Sequence, residues 1–184
     1  MKSTESRTVP GPTSARRVRA TVAGVAGGVG TTTVAAALGA ADRGVFIGRA
    51  VDVLVCRATG DSLVRAGHAA QVVAQATGRR PVLAVTAADS SGPSRPVTAR
   101  LRLLEPHTSA VVVMPYVRRW QDLTAPLDEA RALLALPHAD LPRPLRPYAA
   151  AVQDLRSSLS GRIPTNRRST HGRPVPRPTM RRTR

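Results

Sequence analysis

The stretch that decides the fold is VAGVAGGVGTTTVAAAL, residues 22–38. An apolar run enters a glycine-rich turn, and the turn leads directly into an alanine-rich segment with good helix formers. Glycines allow backbone N–H groups to converge on an anion, and the N-terminus of the following helix favours negative charge. A strand, a glycine turn and a helix start in this order therefore predict a phosphate-binding loop.

The loop departs from the P-loop pattern at one residue. That pattern requires lysine after the last glycine, because the ammonium group reaches the β- and γ-phosphates. This chain has Thr31 at that position, so the predicted contacts come from backbone N–H groups and hydroxyls. Thr32 is the predicted magnesium contact if a magnesium nucleotide binds. The candidate nucleotide-binding residues are Gly27, Gly28, Val29, Gly30, Thr31, Thr32 and Thr33.

These residues resemble the loop of the ParA/MinD family of deviant-Walker ATPases, which reads lysine-glycine-glycine-x-glycine-lysine-threonine-threonine. The three glycines and the last two threonines of that pattern are present here. The two family lysines fall on Ala26 and Thr31. The resemblance implies ATP and magnesium as the cofactors and a protein partner or homodimer as the assembly. Because both lysines are absent, we expect that the protein does not hydrolyse ATP. For the same reason, neither ATP nor magnesium is assigned as a definite cofactor.

The resemblance extends to residues 51–66, VDVLVCRATGDSLVRA, which are similar to a later strand, turn and helix of the family. Between residues 41 and 51 the family has further elements, including the strand that carries the magnesium-binding aspartate. Either that part is missing here, or Val51–Cys56 is that strand and the aspartate position falls on or near Arg57. Both alternatives predict that the acid is absent, and no catalytic residue is assigned.

Apolar β-prone runs alternate with helical patterns along the middle of the chain. This alternation predicts an α/β fold with a small, doubly wound, mostly parallel sheet of four to five strands, similar to that of P-loop NTPases. The segment Val45–Ile47 is predicted to be either a short strand or an apolar segment that covers the core. Asp42–Gly44 is the expected end of the first helix. The predicted strands are residues 18–24, 51–56, 81–87 and 110–114, and the predicted helices are 31–41, 62–76, 96–104, 126–136 and 145–159.

The formal charge of +17 is concentrated at the two ends of the chain. We therefore expect a disordered arm over residues 1–16, a folded domain over 17–160 and a disordered Arg/Pro-rich tail over 161–184. The tail is interpreted either as a non-specific contact to nucleic-acid phosphates or as a solvated segment, and it lacks the aromatic residues that stack on bases. Its arginines are Arg162, Arg167, Arg168, Arg173, Arg177, Arg181, Arg182 and Arg184.

The single cysteine, Cys56, lies within an apolar run and has no partner for an internal disulfide. Together with the lack of a signal peptide pattern or an apolar run long enough to span a membrane, it predicts a cytoplasmic protein without a transmembrane segment. His68 and His107 are isolated, so no metal site is predicted from them. Trp120 is either an anchor for a partner or the cover of one edge of the sheet.

The leading hypothesis from the sequence is a degenerate ParA/MinD-like protein that binds a partner without hydrolysing nucleotide. The first alternative is a reduced ATP-binding NTPase, with a role in segregation, division-site selection or secretion and pilus positioning implied by the resemblance. The second alternative is a non-specific nucleic-acid-binding protein that acts through its arginine-rich tail.

Overall fold

A computed structural model describes residues 19–161 of the chain. The predicted N-terminal arm over residues 1–16 lies outside the described residues, as do the eight tail arginines that are candidates for nucleic-acid contact.

The centre of the fold is a five-stranded sheet in which every neighbouring pair of strands is parallel. The spatial order is β2-β1-β3-β4-β5, so β2 and β5 form the two edges. This order confirms the predicted α/β class with a doubly wound parallel sheet. The strands are β1 (Thr21–Gly24), β2 (Ala41–Val45), β3 (Val53–Arg57), β4 (Val82–Thr86) and β5 (Ala110–Met114).

Helices cover both faces of the sheet, because a right-handed connection passes on one face when it moves toward β2 and on the other when it moves toward β5. Helices α1, α4 and α5 lie on the first face, and α2 and α3 lie on the second. Short 3-10 turns at Glu105–His107, Arg118–Gln121 and Arg143–Leu145 complete the connections. The helices are α1 (Thr31–Leu38), α2 (Gly60–Thr77), α3 (Arg95–Leu104), α4 (Pro126–Ala132) and α5 (Arg146–Ser160).

The core forms two apolar layers, one on each face, because side chains alternate along each strand. Val53 and Val55 of β3 enter the first layer, whereas Leu54 and Cys56 enter the second. The central strands therefore read as continuous apolar runs, as expected for strands buried on both faces.

The first helix is shorter than predicted, and the second strand begins earlier. The sequence pattern predicts a helix over residues 31–41 that ends at Asp42–Gly44, but α1 ends at Leu38 and Gly39 caps it in a left-handed conformation. Residues Ala41–Val45 then pair with β1. Aspartate, arginine and glycine have low strand propensity, so this strand depends on its pairing with β1 and has no local signal.

Among residues 19–161, none of the helices has the length and apolar character needed to cross a membrane.

Candidate functional site

The glycine loop, residues 25–30, lies at the carboxyl end of β1 and opens into the N-terminus of α1. Gly28 and Gly30 have φ angles of +72° and +88°, which favour glycine because a Cβ is strained there. Gly30 is the N-cap of α1, no side chain caps the helix, and its first turn contains no acidic residue. No side chain therefore accepts hydrogen bonds from the N-terminal N–H groups of α1. An anion site requires such groups without a side-chain cap.

Contacts from neighbouring elements fix the loop. The Thr86 hydroxyl at the end of β4 donates to the Val29 carbonyl oxygen at 2.9 Å, with the Cys56 carbonyl oxygen as a second acceptor at 3.2 Å. The Val29 side chain is 5% exposed and packs in the first apolar layer. A bound ligand can therefore reach Val29 only through its backbone, and the valine serves to anchor the loop.

A cavity of about 300 Å³ adjoins this loop at the carboxyl edge of the sheet. In a doubly wound sheet, ligands bind outside the carboxyl ends of the strands, at the point where neighbouring connections pass to opposite faces. In this chain that point lies between β1, which leads to α1, and β3, which leads to α2. The side chains and backbone that line the cavity include Gly28, Val29, Gly30, Thr33, Arg57, Thr86, Tyr116, Trp120, Gln121 and Tyr148.

Arg57 supplies the positive charge of the cavity. It is the last residue of β3 and is exposed, and its guanidinium makes no hydrogen bond or ion pair with any described residue. None of the residues that line the cavity is acidic. The combination of an uncapped helix N-terminus and a free guanidinium therefore favours an anionic ligand.

Aromatic side chains also line the cavity. Trp120 packs edge-to-face on Tyr148 with ring centroids 4.7 Å apart. The Trp120 indole N–H donates to Glu129 Oε2 at 2.6 Å, and Arg119 pairs with Glu129 Oε1 at 2.7 Å. Trp120 therefore covers the edge of the sheet, which was one of its two predicted roles. Burial raises the pKa of Tyr148, so its phenol stays protonated.

The structure brings together only part of the predicted site. Gly28, Val29, Gly30 and Thr33 line the cavity, whereas Thr32 lines a separate groove along α1 together with Arg19 and Arg131. Gly27 is exposed beside the loop. The Thr31 hydroxyl lies against Gly24 at the end of β1, where an added Cβ would overlap it. The residue in the lysine position thus packs on the strand.

Several cavity residues were not predicted as ligand contacts. Arg57 was named only as the position on or near which the family aspartate falls, and no contact was predicted for Thr86 or Tyr116. A usable signal exists for all three, because each lies at or just after the end of a parallel strand and such ends meet at one edge of a sheet. Tyr148 comes from α5 and has no comparable local signal.

Asp52, Asp61 and Cys56 have structural roles outside the cavity. Asp52 Oδ2 accepts hydrogen bonds from the Thr21 backbone N–H at 2.9 Å and from its hydroxyl at 2.8 Å, at the opposite edge of the sheet. Asp61 pairs with Arg65 on the surface of α2. Cys56 is buried, and burial raises its pKa to about 12, so its thiol is neutral. Within the described part of the chain, no group of three His, Cys, Asp or Glu residues could hold a metal ion.

Comparisons of the whole chain with known proteins add no family to this description. No family model, no curated protein and no solved structure matches it. The resemblance to the ParA/MinD family therefore rests on the sequence motifs alone and stays a prediction.

Proposed function

We propose that the protein binds a phosphate-bearing ligand such as a nucleotide at the glycine loop without hydrolysing it, and acts as a binding or adaptor protein of the ParA/MinD type. One observation carries the proposal. The uncapped N-terminus of α1, preceded by two glycines with positive φ, shares a cavity with the unpaired guanidinium of Arg57. Backbone N–H groups and an arginine are the groups that recognise phosphate oxygens in proteins.

The same cavity lacks the groups that phosphoryl transfer requires. Transfer of a phosphoryl group depends on cations placed around the transferred group and on an acid that positions magnesium. Thr31 replaces the lysine, its hydroxyl lies against Gly24, and none of the described residues that line the cavity is acidic. The loss of one charged contact to a transition state slows a reaction by about 10² to 10³-fold. Binding without turnover therefore fits the arrangement better than catalysis.

Thermal unfolding of the full-length protein during titration with ATP, with and without magnesium, tests the proposal. A ligand present at 100 times its dissociation constant stabilises the folded state by about 2.7 kcal/mol. We expect a saturable rise in the melting temperature with ATP and no release of inorganic phosphate. A melting temperature that does not respond to ATP, ADP or inorganic phosphate would refute the proposal, and phosphate release would favour the NTPase alternative.

Two glycine variants form a matched pair for this titration. Gly28 and Gly39 both have positive φ, at +72° and +62°, and neither has an atom within 4 Å of an added Cβ. Gly28→Ala and Gly39→Ala therefore impose similar backbone strain, but only Gly28 lines the cavity. We expect Gly28→Ala to abolish most of the ATP-dependent rise and Gly39→Ala to keep it. Equal loss in both variants would show that the effect is a general one on stability.

A further inference from the structure

No helix covers the second face of the sheet over β1 and β2, where Ala23 of β1 is buried with Phe46 and Val51 of the connection from β2 to β3. Helices α2 and α3 pack over the other strands on that face. The connection from β2 to β3 crosses β1 with only residues 46–52, and it contains no helix. Parallel strands are usually joined by a crossover of a dozen or more residues that includes a helix. The helix that would cover β1 and β2 on this face is therefore missing.

The place of that helix is taken by a groove, which we call the β1–β2 groove. It has a volume of about 310 Å³ and is lined by Ala23, Arg43, Val45, Phe46, Ile47, Arg49, Ala50 and Val51. Ile47 is 72% exposed and Val45 is 49% exposed, although both are apolar. Exposed apolar residues that are contiguous and rimmed by charge are typical of an interaction surface.

The charge of the rim indicates the chemistry of the occupant. Among the described residues that line the β1–β2 groove, Arg43 and Arg49 are charged and none is acidic. Neither arginine makes a hydrogen bond or ion pair with another residue between 19 and 161. Two unpaired guanidinium groups beside an apolar floor are complementary to an apolar surface flanked by carboxylates.

The edge of β2 favours a helix in the groove over an added strand. The Gly44 backbone N–H donates to Asp42 Oδ1 at 2.8 Å and so is not free for a further strand. The β1–β2 register also shifts between Val22 and Gly24. Interrupted edges of this kind pair poorly with an incoming strand, whereas an apolar groove accepts the apolar face of a helix.

The charge of the chain disfavours a second copy of the protein as the occupant. Among the described helices, the most exposed large apolar side chain is Leu103 at 73% exposure, which lies on α3 directly after Arg102 and three residues after Arg100. A second copy would therefore bring more arginines to Arg43 and Arg49. The sequence after residue 161 contains eight arginines and no acidic residue, so its charge is not complementary to Arg43 and Arg49 either.

We propose that the β1–β2 groove binds an acidic amphipathic helix of a partner protein. The apolar face of that helix packs on Val45, Phe46 and Ile47, and its carboxylates pair with Arg43 and Arg49. The helix occupies the place of the missing crossover helix. This site lies on the sheet face and is separate from the glycine loop, so it does not depend on the proposed phosphate binding.

Fluorescence anisotropy with a designed probe tests this inference on the full-length protein. The probe is a helical peptide of about 18 residues. Its leucines follow the i, i+3, i+4, i+7 spacing of helices that bind in apolar grooves, and glutamates flank the leucine face. A scrambled peptide of the same composition controls for simple attraction to a chain of charge +17. We expect the amphipathic probe to bind at least roughly tenfold more tightly than the scrambled one.

Two pairs of variants locate the binding. Ile47→Glu should weaken the amphipathic probe by roughly tenfold or more, whereas Leu103→Glu, at an equally exposed position, should change its affinity by less than about twofold. Arg43→Glu should weaken it more than Arg102→Glu, since only Arg43 lines the groove. A probe with lysines in place of glutamates should not bind.

Three results would overturn the proposal. The first is equal binding of the amphipathic and scrambled probes, or equal effects of Ile47→Glu and Leu103→Glu. The second is a dimer in sedimentation that Ile47→Glu dissociates, because the occupant would then be a second copy. The third is Ile47-dependent binding to vesicles that contain anionic phosphatidylglycerol without binding of the peptide, because the groove residues would then contact a membrane.

Discussion

Two turns connect a strand to a helix at the same edge of the sheet, and they differ in what occupies the helix N-terminus. Neither α1 nor α2 has a side-chain cap. The turn from β1 to α1 has six residues and two positive-φ glycines, and the first turn of α1 contains no acidic residue. The turn from β3 to α2 has only Ala58 and Thr59, and Thr59 is in an extended conformation. Asp61 lies in the first turn of α2, and the Arg100 side chain lies against Gly60.

The difference shows which helix N-terminus is available to a ligand. At α2 the Ser62 hydroxyl accepts the Arg57 backbone N–H at 2.9 Å, and an acidic residue already faces the positive end of the helix. At α1 neither arrangement exists, and the cavity lies directly beside the loop. Of the helix N-termini that follow β1 and β3, only that of α1 borders the cavity and has no acidic residue in its first turn.

The largest expected effect comes from adding a methyl group to a glycine of each turn. A Cβ on Gly24 would overlap the Thr31 hydroxyl and lie 2.8 Å from Val29 Cγ2 and 3.1 Å from the Ala26 carbonyl oxygen. Gly24→Ala should lower the free energy of unfolding by about 2–3 kcal/mol, as overpacking does. Denaturant unfolding measures this change in the free energy of unfolding.

Gly60→Ala is the matched change in the other turn. Its Cβ would meet only the end of the Arg100 side chain, which can move into solvent. The cost should be within about 0.5 kcal/mol. Thr31→Ala in the Gly24→Ala background removes one overlapping atom and should recover part of the loss. Equal costs of Gly24→Ala and Gly60→Ala would contradict the tighter packing of the first turn.

A smaller effect is expected when the second turn loses its internal hydrogen bond. Ser62 is 6% exposed, and its hydroxyl is the acceptor for the Arg57 backbone N–H. Ser62→Ala leaves that N–H without its partner and should cost about 1 kcal/mol of stability. The affinity for ATP should not change, because Ser62 does not line the cavity. A marked change in ATP affinity would mean that the α2 N-terminus takes part in binding.

The smallest expected effect is a difference in ATP affinity between substitutions of two arginines at this edge of the sheet. Arg57 lines the cavity with a free guanidinium, whereas Arg100 lies at the N-terminus of α2. Arg57→Gln should weaken ATP binding by roughly fivefold and leave the melting temperature of the free protein unchanged. Arg100→Gln should leave ATP affinity unchanged. The two variants are compared by calorimetric titration, and equal losses would show only a general effect of positive charge.

The sequence predicts the central strands and the glycine loop because their signals are local. Continuous apolar runs identify β3, β4 and β5, and the glycine spacing identifies the turn into α1. Strand β2 was predicted wrongly because it is exposed and depends on pairing with β1. The contact of Thr86 with Val29 joins residues 57 positions apart, so no local pattern indicates it.

The β1–β2 groove could not be predicted from the sequence either. For the short segment between the first helix and Val51, the sequence analysis considered either that the acid-bearing strand is missing or that Val51–Cys56 is that strand. In the structure this segment contains no helix, so no helix covers β1 and β2 on the second face. Which face a missing helix exposes depends on strand order, and strand order is set by tertiary packing. Local propensity therefore identifies the elements here but leaves the exposed surfaces undetermined.

Equilibrium dialysis of full-length protein against ATP and magnesium, with bound nucleotide and inorganic phosphate measured in the same chamber, tests the central claim most directly. Binding without turnover predicts saturable retention of intact ATP and phosphate release no greater than in buffer. Gly28→Ala should remove the retention, and Gly39→Ala should preserve it. Absence of retention, or phosphate release that Gly28→Ala eliminates, would contradict the claim.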